Sequence, residues 1–271
     1  MPPEPSDRRA LQERIQRALD AGDDDALAAA LHSGTHHGRP GVNARTKRWV
    51  AARLRERDGP RSPDLLRAAL RHATSHEPSL RSISCIALAD CLPVDRAAVM
   101  QRALALAADS DWEVREWAAG IFGAALDSDF DAEYPALLAL TAHADDRVRR
   151  AVALAAMAAA DARKPERAQR LLALLEPLLA DHSAYVRRNL GPFAIGAGLL
   201  AAYPDATHAA LRDWARRDDA ITRWNVAAAC GSAAARRSPQ PLLAVLDLLA
   251  LDERRMVRSA ARAARRSLDA G

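Results

Sequence analysis

The residues of this chain best equipped for chemistry are its arginines. Of 39 basic residues only Lys47 and Lys164 are lysines. The others carry the planar, permanently charged guanidinium that grips phosphate or carboxylate through two parallel hydrogen bonds. Several occur as doublets, Arg149–Arg150 and Arg187–Arg188, with Arg223 further along. Such a series can serve as a structural ladder of arginine–carboxylate pairs or as a grip on a phosphate backbone. The net charge of +4 does not decide between these uses. The arginine excess also accompanies abundant alanine, as GC-rich coding produces. Position, rather than total, must carry the argument.

Other chemistries find less support. His32, His36 and His37 cluster around a glycine-containing loop, but no fourth ligand accompanies them, so no metal site is expected. Asp127, Asp129 and Asp131 lack the glycine and terminal glutamate of a calcium loop and read as a solvated acidic turn. Cys85, Cys91 and Cys230 form no metal pattern, and their odd number argues against a disulfide framework. They read as small core residues, which suits a reducing cytoplasm. There is no glycine-rich phosphate loop, nucleophile elbow or Cys/His pair, and no cofactor is expected. The longest nearly apolar stretch is too short to span a bilayer, and the first residues (MPPEPSDRR) form no apolar signal core.

The elements that must position the arginines show as an internal repeat. An acidic or turn residue, a short spacer, an aliphatic anchor and then arginine recur. The anchors are Val42, Leu80, Val114, Val148, Val186, Ile221 and Val257, spaced 38, 34, 34, 38, 35 and 36 residues apart. Between them apolar residues follow three- and four-residue spacing, as in LLALLEPLLA. Pro63, Pro93, Pro135, Pro165, Pro204 and Pro239 fall where a first helix would begin. The acid before each anchor is placed to cap a second helix, and Ser110 to Glu113 reads as a capping box. No segment alternates with period two. The pattern predicts an all-α, right-handed HEAT-like solenoid of about seven helical hairpins with a concave groove. The expected organisation is a flexible tail over 1–7, one repeat domain over 8–268 and a frayed end over 269–271.

If the second helices line the groove, the two positions after each anchor form a basic stripe, strongest from Arg149 to Arg223. Arg81, Arg115 and Arg258 suit the ladder. The doublets exceed what a ladder requires, and Arg150 and Arg188 are the best placed to reach a ligand. Duplex DNA is the natural partner for such a surface. Tyr185 could donate to a phosphate or cap its helix. Trp117 and Trp224 share one repeat position, which favours packing, and Trp49 lies in an arginine-rich amphipathic helix.

From about residue 109 to 224 the chain resembles the DNA alkylation repair family of HEAT-like repeat proteins, the alkylpurine DNA glycosylase D type and its relatives. WEVREWAAGIF from Trp112, RVRRAV from Arg147, YVRRNLG from Tyr185 and YPDATHAALRDW from Tyr203 carry the likeness. The resemblance implies hydrolysis of the glycosidic bond of a cationic N3- or N7-alkylated purine. It places Glu116 as the carboxylate that stabilises positive charge on the sugar and Trp112 beside the lesion. Arg149, Arg150, Tyr185, Arg187, Arg188 and Arg223 would then hold the DNA. Departures are a glutamate where the named type has aspartate and the loss of a second tryptophan, whose place falls on Pro192 or Phe193. Pro192 should also bend its helix or remove a hydrogen bond. A non-catalytic DNA-binding relative and a HEAT scaffold for another protein are the competing readings. A monomer in the cytoplasm, binding alkylated duplex DNA without metal, completes the expectation.

Overall fold

The computed structural model of the protein describes residues 5–269. The expected tail and frayed end lie partly outside that range, and the first helix, α1, begins at Pro5. The chain divides into two compact units, Met1–Ile121 and Phe122–Gly271.

In the first unit α1 (Pro5–Ala21) and α2 (Asp24–His32) are followed by a short hairpin of β1 (Thr35–His36) and β2 (Arg39–Pro40). Then come α3 (Ala44–Asp58), α4 (Pro63–His72), α5 (Pro78–Asp90), α6 (Arg96–Ala107) and α7 (Trp112–Ser128), within which the unit boundary falls. The second unit continues with α8 (Phe130–Leu140), α9 (Asp146–Ala158) and α10 (Ala168–Leu175). Next, α11 (Ala184–Asn189) runs through a π-helical stretch, Leu190–Leu199, into α12 (Leu200–Ala202). The chain ends with α13 (Pro204–Trp214), α14 (Ala220–Cys230), α15 (Ala233–Arg237), α16 (Gln240–Ala250) and α17 (Arg255–Asp269).

The second unit has two layers. The helices that follow the anchors, α9, the α11–π segment, α14 and α17, pack side by side, and α8, α10, α13 and α16 form the other layer. In the first unit α5 packs on α2, α3, α4 and α6. The anchors point inward: Val42, Leu80, Val114, Val148, Val186, Ile221 and Val257 are all buried. The aliphatic periodicity thus becomes a continuous apolar seam within each unit, the expected source of most of its stability.

Local signals are largely realised, with corrections. Pro63, Pro165 and Pro204 open helical turns, but Pro93 lies in a turn before α6 and Pro135 lies inside α8. The start of α7 is capped by Asp111 rather than Ser110; its Oδ1 accepts from the Glu113 and Val114 amides at 2.8 and 3.3 Å. The cap of α11 is Ser183, because Asp181 is otherwise engaged. Pro192 has its predicted effect: without its N–H the helix widens into the π form. Gly191 and Gly196 let this segment lie against α14, since an added Cβ would stand 2.6 Å from the Asn225 carbonyl oxygen and 3.0 Å from that of Ala229.

Arginines one or two positions after several of the anchors form a ladder. Arg81 makes a bidentate pair with Asp109 at 2.8 and 2.9 Å, and Arg149 does so with Asp181 at 2.6 and 3.1 Å. Arg223 reaches Asp252 at 2.5 Å. The same guanidiniums also tie down the turn before their own helix: Arg81 donates to the carbonyls of Ser75 and His76, and Arg149 to those of His143 and Ala144. Arg115 and Arg258 make the equivalent carbonyl contacts.

Burial raises the Asp181 carboxyl pKa, but hydrogen bonds from Arg149 and the Ser183 amide outweigh this and leave it below the ordinary value. For Asp252 the Arg254 hydrogen bond is the largest influence and, despite burial, the result with Arg223 is again low. Both carboxylates should therefore stabilise the fold above the ordinary carboxylate pKa of 3.8 and lose that contribution as pH falls from there through their depressed folded values. Asp181→Asn should cost about 1–3 kcal/mol at neutral pH. Urea unfolding of wild type and variant should show that difference shrinking in acid; an unchanged difference would remove the pair from the stability of the fold.

Candidate nucleic-acid interface

In the first unit the Asp111 cap fixes the first turn of α7, and with it the directions of three side chains. Trp112 is 41% exposed, and Glu116, one turn later on the same helical face, is also exposed. An exposed indole and carboxylate are thus presented together. Glu113 turns the other way, and its Oε1 lies 2.6 Å from the Nζ of Lys47, whose side chain is 1% exposed. Trp117 is half-buried with the Arg48 guanidinium 5.1 Å from its ring centroid, in keeping with the packing role its repeat position suggests.

The hairpin of β1 and β2 lies next to this helix start. His37 and Gly38 occupy its turn with φ of +51° and +72°. The His37 ring is 3.9 Å from that of His36 and 6.1 Å from that of Trp112. His36 Nε2 faces Glu113 Oε1 at 3.8 Å, and His32 Nδ1 is 2.9 Å from Glu77 Oε2. Sequence reasoning did not anticipate these pairings. Among the described residues no group of three or more His, Cys, Asp or Glu is arranged to hold a metal ion.

In the second unit the arginines of the predicted stripe divide by environment. Arg149 and Arg223 are held by the ladder carboxylates. Arg150 is only 6% exposed, its guanidinium carbon 4.8 Å from the ring centroid of Tyr185. Arg187 is half-buried, 5.9 Å from the Trp224 ring, and Arg188 is exposed. The α11 doublet is therefore the more open one. Phe193, at one of the two positions where the resemblance loses a tryptophan, is 52% exposed and provides an aromatic face in the π segment.

The acidic triplet is spent on structure. Asp127 pairs with Lys164 and Arg167, Asp129 caps α8, and Asp131 pairs with Arg170. The cysteines are buried, and burial pushes the thiols of Cys91 and Cys230 up to about 11 and about 12, which makes them poor nucleophiles.

The Lys47–Glu113 pair sets the orientation of the α7 start, which gives it a measurable signature. Glu113→Ala should destabilise by about 3–5 kcal/mol, because it strands a buried ammonium. A Lys47→Met/Glu113→Leu double variant should recover most of that loss in chemical denaturation. Equal losses in the single and double variants would show that apolar packing, not charge pairing, holds this turn.

No protein-family model and no curated protein matches the chain. Solved structures do. AlkD2 from Streptococcus mutans superimposes with a TM-score of 0.61 at 15% identity, over 81% of this chain and 97% of that one. The smu.31 protein from Streptococcus mutans UA159 gives 0.55 at 16% identity, over 69% and 94%. Among the described residues no helix is long and apolar enough to cross a membrane. The hairpin repeats, the buried anchors and these superpositions together give the chain an AlkD-like HEAT-repeat fold, an all-α solenoid.

Proposed function

We propose that this protein binds duplex DNA and hydrolyses the glycosidic bond of cationic N3- or N7-alkylated purines. The observation that carries the proposal is the exposed Trp112–Glu116 pair on one face of α7, within an AlkD-like fold. Alkylation has already made the base a good leaving group. When the C1′–N bond breaks, its electron pair leaves with the base, which departs neutral, and positive charge develops on the sugar. The Glu116 carboxylate opposes that charge and orients the attacking water, whose proton passes to the carboxylate or to solvent. The Trp112 face attracts the cationic nucleotide.

In this proposal Arg187 and Arg188 touch phosphates directly. Arg149, Arg150, Tyr185 and Arg223 fix the helix ends from which they project, a division supported by the ladder pairs and by the burial of Arg150. Glu116→Gln should lower release of free base from an alkylated duplex by about a hundredfold or more while DNA affinity is kept. A variant as active as wild type would exclude this carboxylate. Absence of release from wild type across several lesions would favour the non-catalytic DNA-binding reading.

The phosphate grip has its own test. Arg188→Ala should reduce the slope of log affinity against log salt by about one. An unchanged slope removes Arg188 from the contact surface. Binding without salt dependence would favour the protein scaffold.

A further inference from the structure

The Asp111 cap fixes where the Cα–Cβ bond of Trp112 points, but not the rotamer of its indole. Trp112 is the first residue of α7, so no preceding helical turn restricts its χ1 as it would deeper in a helix. An exposed ring at such a position has several orientations open to it. The His37 imidazole lies against this one, with ring centroids 6.1 Å apart and planes inclined at 54°, the tilted arrangement that aromatic pairs favour.

His37 is held there at a cost in backbone conformation. Thr35 pairs with Pro40 and His36 with Arg39, so His37 and Gly38 are the two central residues of the hairpin turn. Both have positive φ, as a two-residue hairpin turn of this kind requires, and glycine or asparagine would meet that requirement with less strain than histidine. The imidazole therefore contributes something the turn does not need. The hairpin that carries it is fixed at both ends. At its base the Gly41 amide donates to the Gly34 carbonyl at 3.0 Å, and a Cβ on Gly34 would stand 2.6 Å from the Gly41 carbonyl oxygen. Near its tip His36 Nε2 faces Glu113 Oε1 at 3.8 Å, the same oxygen that the buried Lys47 ammonium holds at 2.6 Å. The His36 and His37 rings are 3.9 Å apart, so the anchorage of one passes to the other. Burial, with the neighbouring His37 and Lys47, lowers the His36 pKa against the opposing pull of Glu113. At neutral pH His36 therefore stacks as an uncharged ring and adds no positive charge near the indole.

We propose that His37 is a positioning residue for Trp112: through it the hairpin holds the indole in the orientation that presents its open face to a cationic nucleotide lying on the protein surface. The inference rests on the glycosylase reading for the identity of that cation. His37 itself touches no reacting atom. It narrows the rotamers of a residue that meets the substrate, so less ordering remains to be done on binding.

The test uses the full chain labelled with 5-fluorotryptophan, whose five tryptophans give five fluorine resonances, with Trp112→Phe identifying that of Trp112. His37→Gly and His37→Asn both suit the turn and both delete the ring. In each, the Trp112 resonance should move and the thermal midpoint should not fall. Release of free base from an alkylated duplex under single-turnover conditions should slow about three- to tenfold. The same substitutions made in a Trp112→Ala background should slow it no further, because His37 acts only through the indole. An unmoved Trp112 resonance would overturn the proposal, and so would a loss of equal size with and without the indole. Movement of the resonance in a protein that releases no base would overturn the glycosylase reading and leave His37 as the residue that sets the indole.

Discussion

The ladder arginines Arg81, Arg149 and Arg223 are the constraint on which the rest of each unit depends. Each holds two places at once: the turn before its own helix, through carbonyl oxygens, and a carboxylate at the next turn. Apolar packing is non-directional and would tolerate a helix sliding along its neighbour. A bidentate guanidinium–carboxylate pair does not. The apolar seam supplies the driving force, while the ladder fixes the rise from one hairpin to the next.

That division of labour explains what could be read from the sequence. The anchors, the step between them and the all-helical character were legible because burial imposes a period that appears in one dimension. The ladder was legible at Arg81 for the same reason. The fates of Arg149, Arg150 and Arg223 were not, because one arginine serves equally well as a clamp or as a phosphate ligand. Only the position of a carboxylate about thirty residues away, or of the Tyr185 ring, distinguishes these uses. Caps were legible to within a residue or two: Asp111 replaces Ser110, and Ser183 stands in because Asp181 belongs to the ladder.

The surroundings of Trp112 were least legible. The Lys47–Glu113 and His32–Glu77 contacts join distant parts of the chain, with no spacing rule to announce them. The three histidines were visible as a cluster, but the metal question was the only one their spacing could pose. Folding supplied what the pattern lacked: carboxylate partners from α5 and α7, and a tight turn that sets one imidazole against an indole. The exposed Trp112–Glu116 pair and this cluster meet at one helix start, which the Asp111 cap fixes.

The near-absence of lysine has a practical consequence for following this molecule in solution. Its two side-chain amines fall one in each unit, Lys47 buried against Glu113 and Lys164 partly open beside Asp127. Among the side chains an amine-directed reagent therefore meets two well-separated reactivities. Lys164 modifies from the folded state, whereas Lys47 must wait until the first unit opens. The ratio of the two labels, read by mass, clocks the opening of that unit alone without any engineered probe.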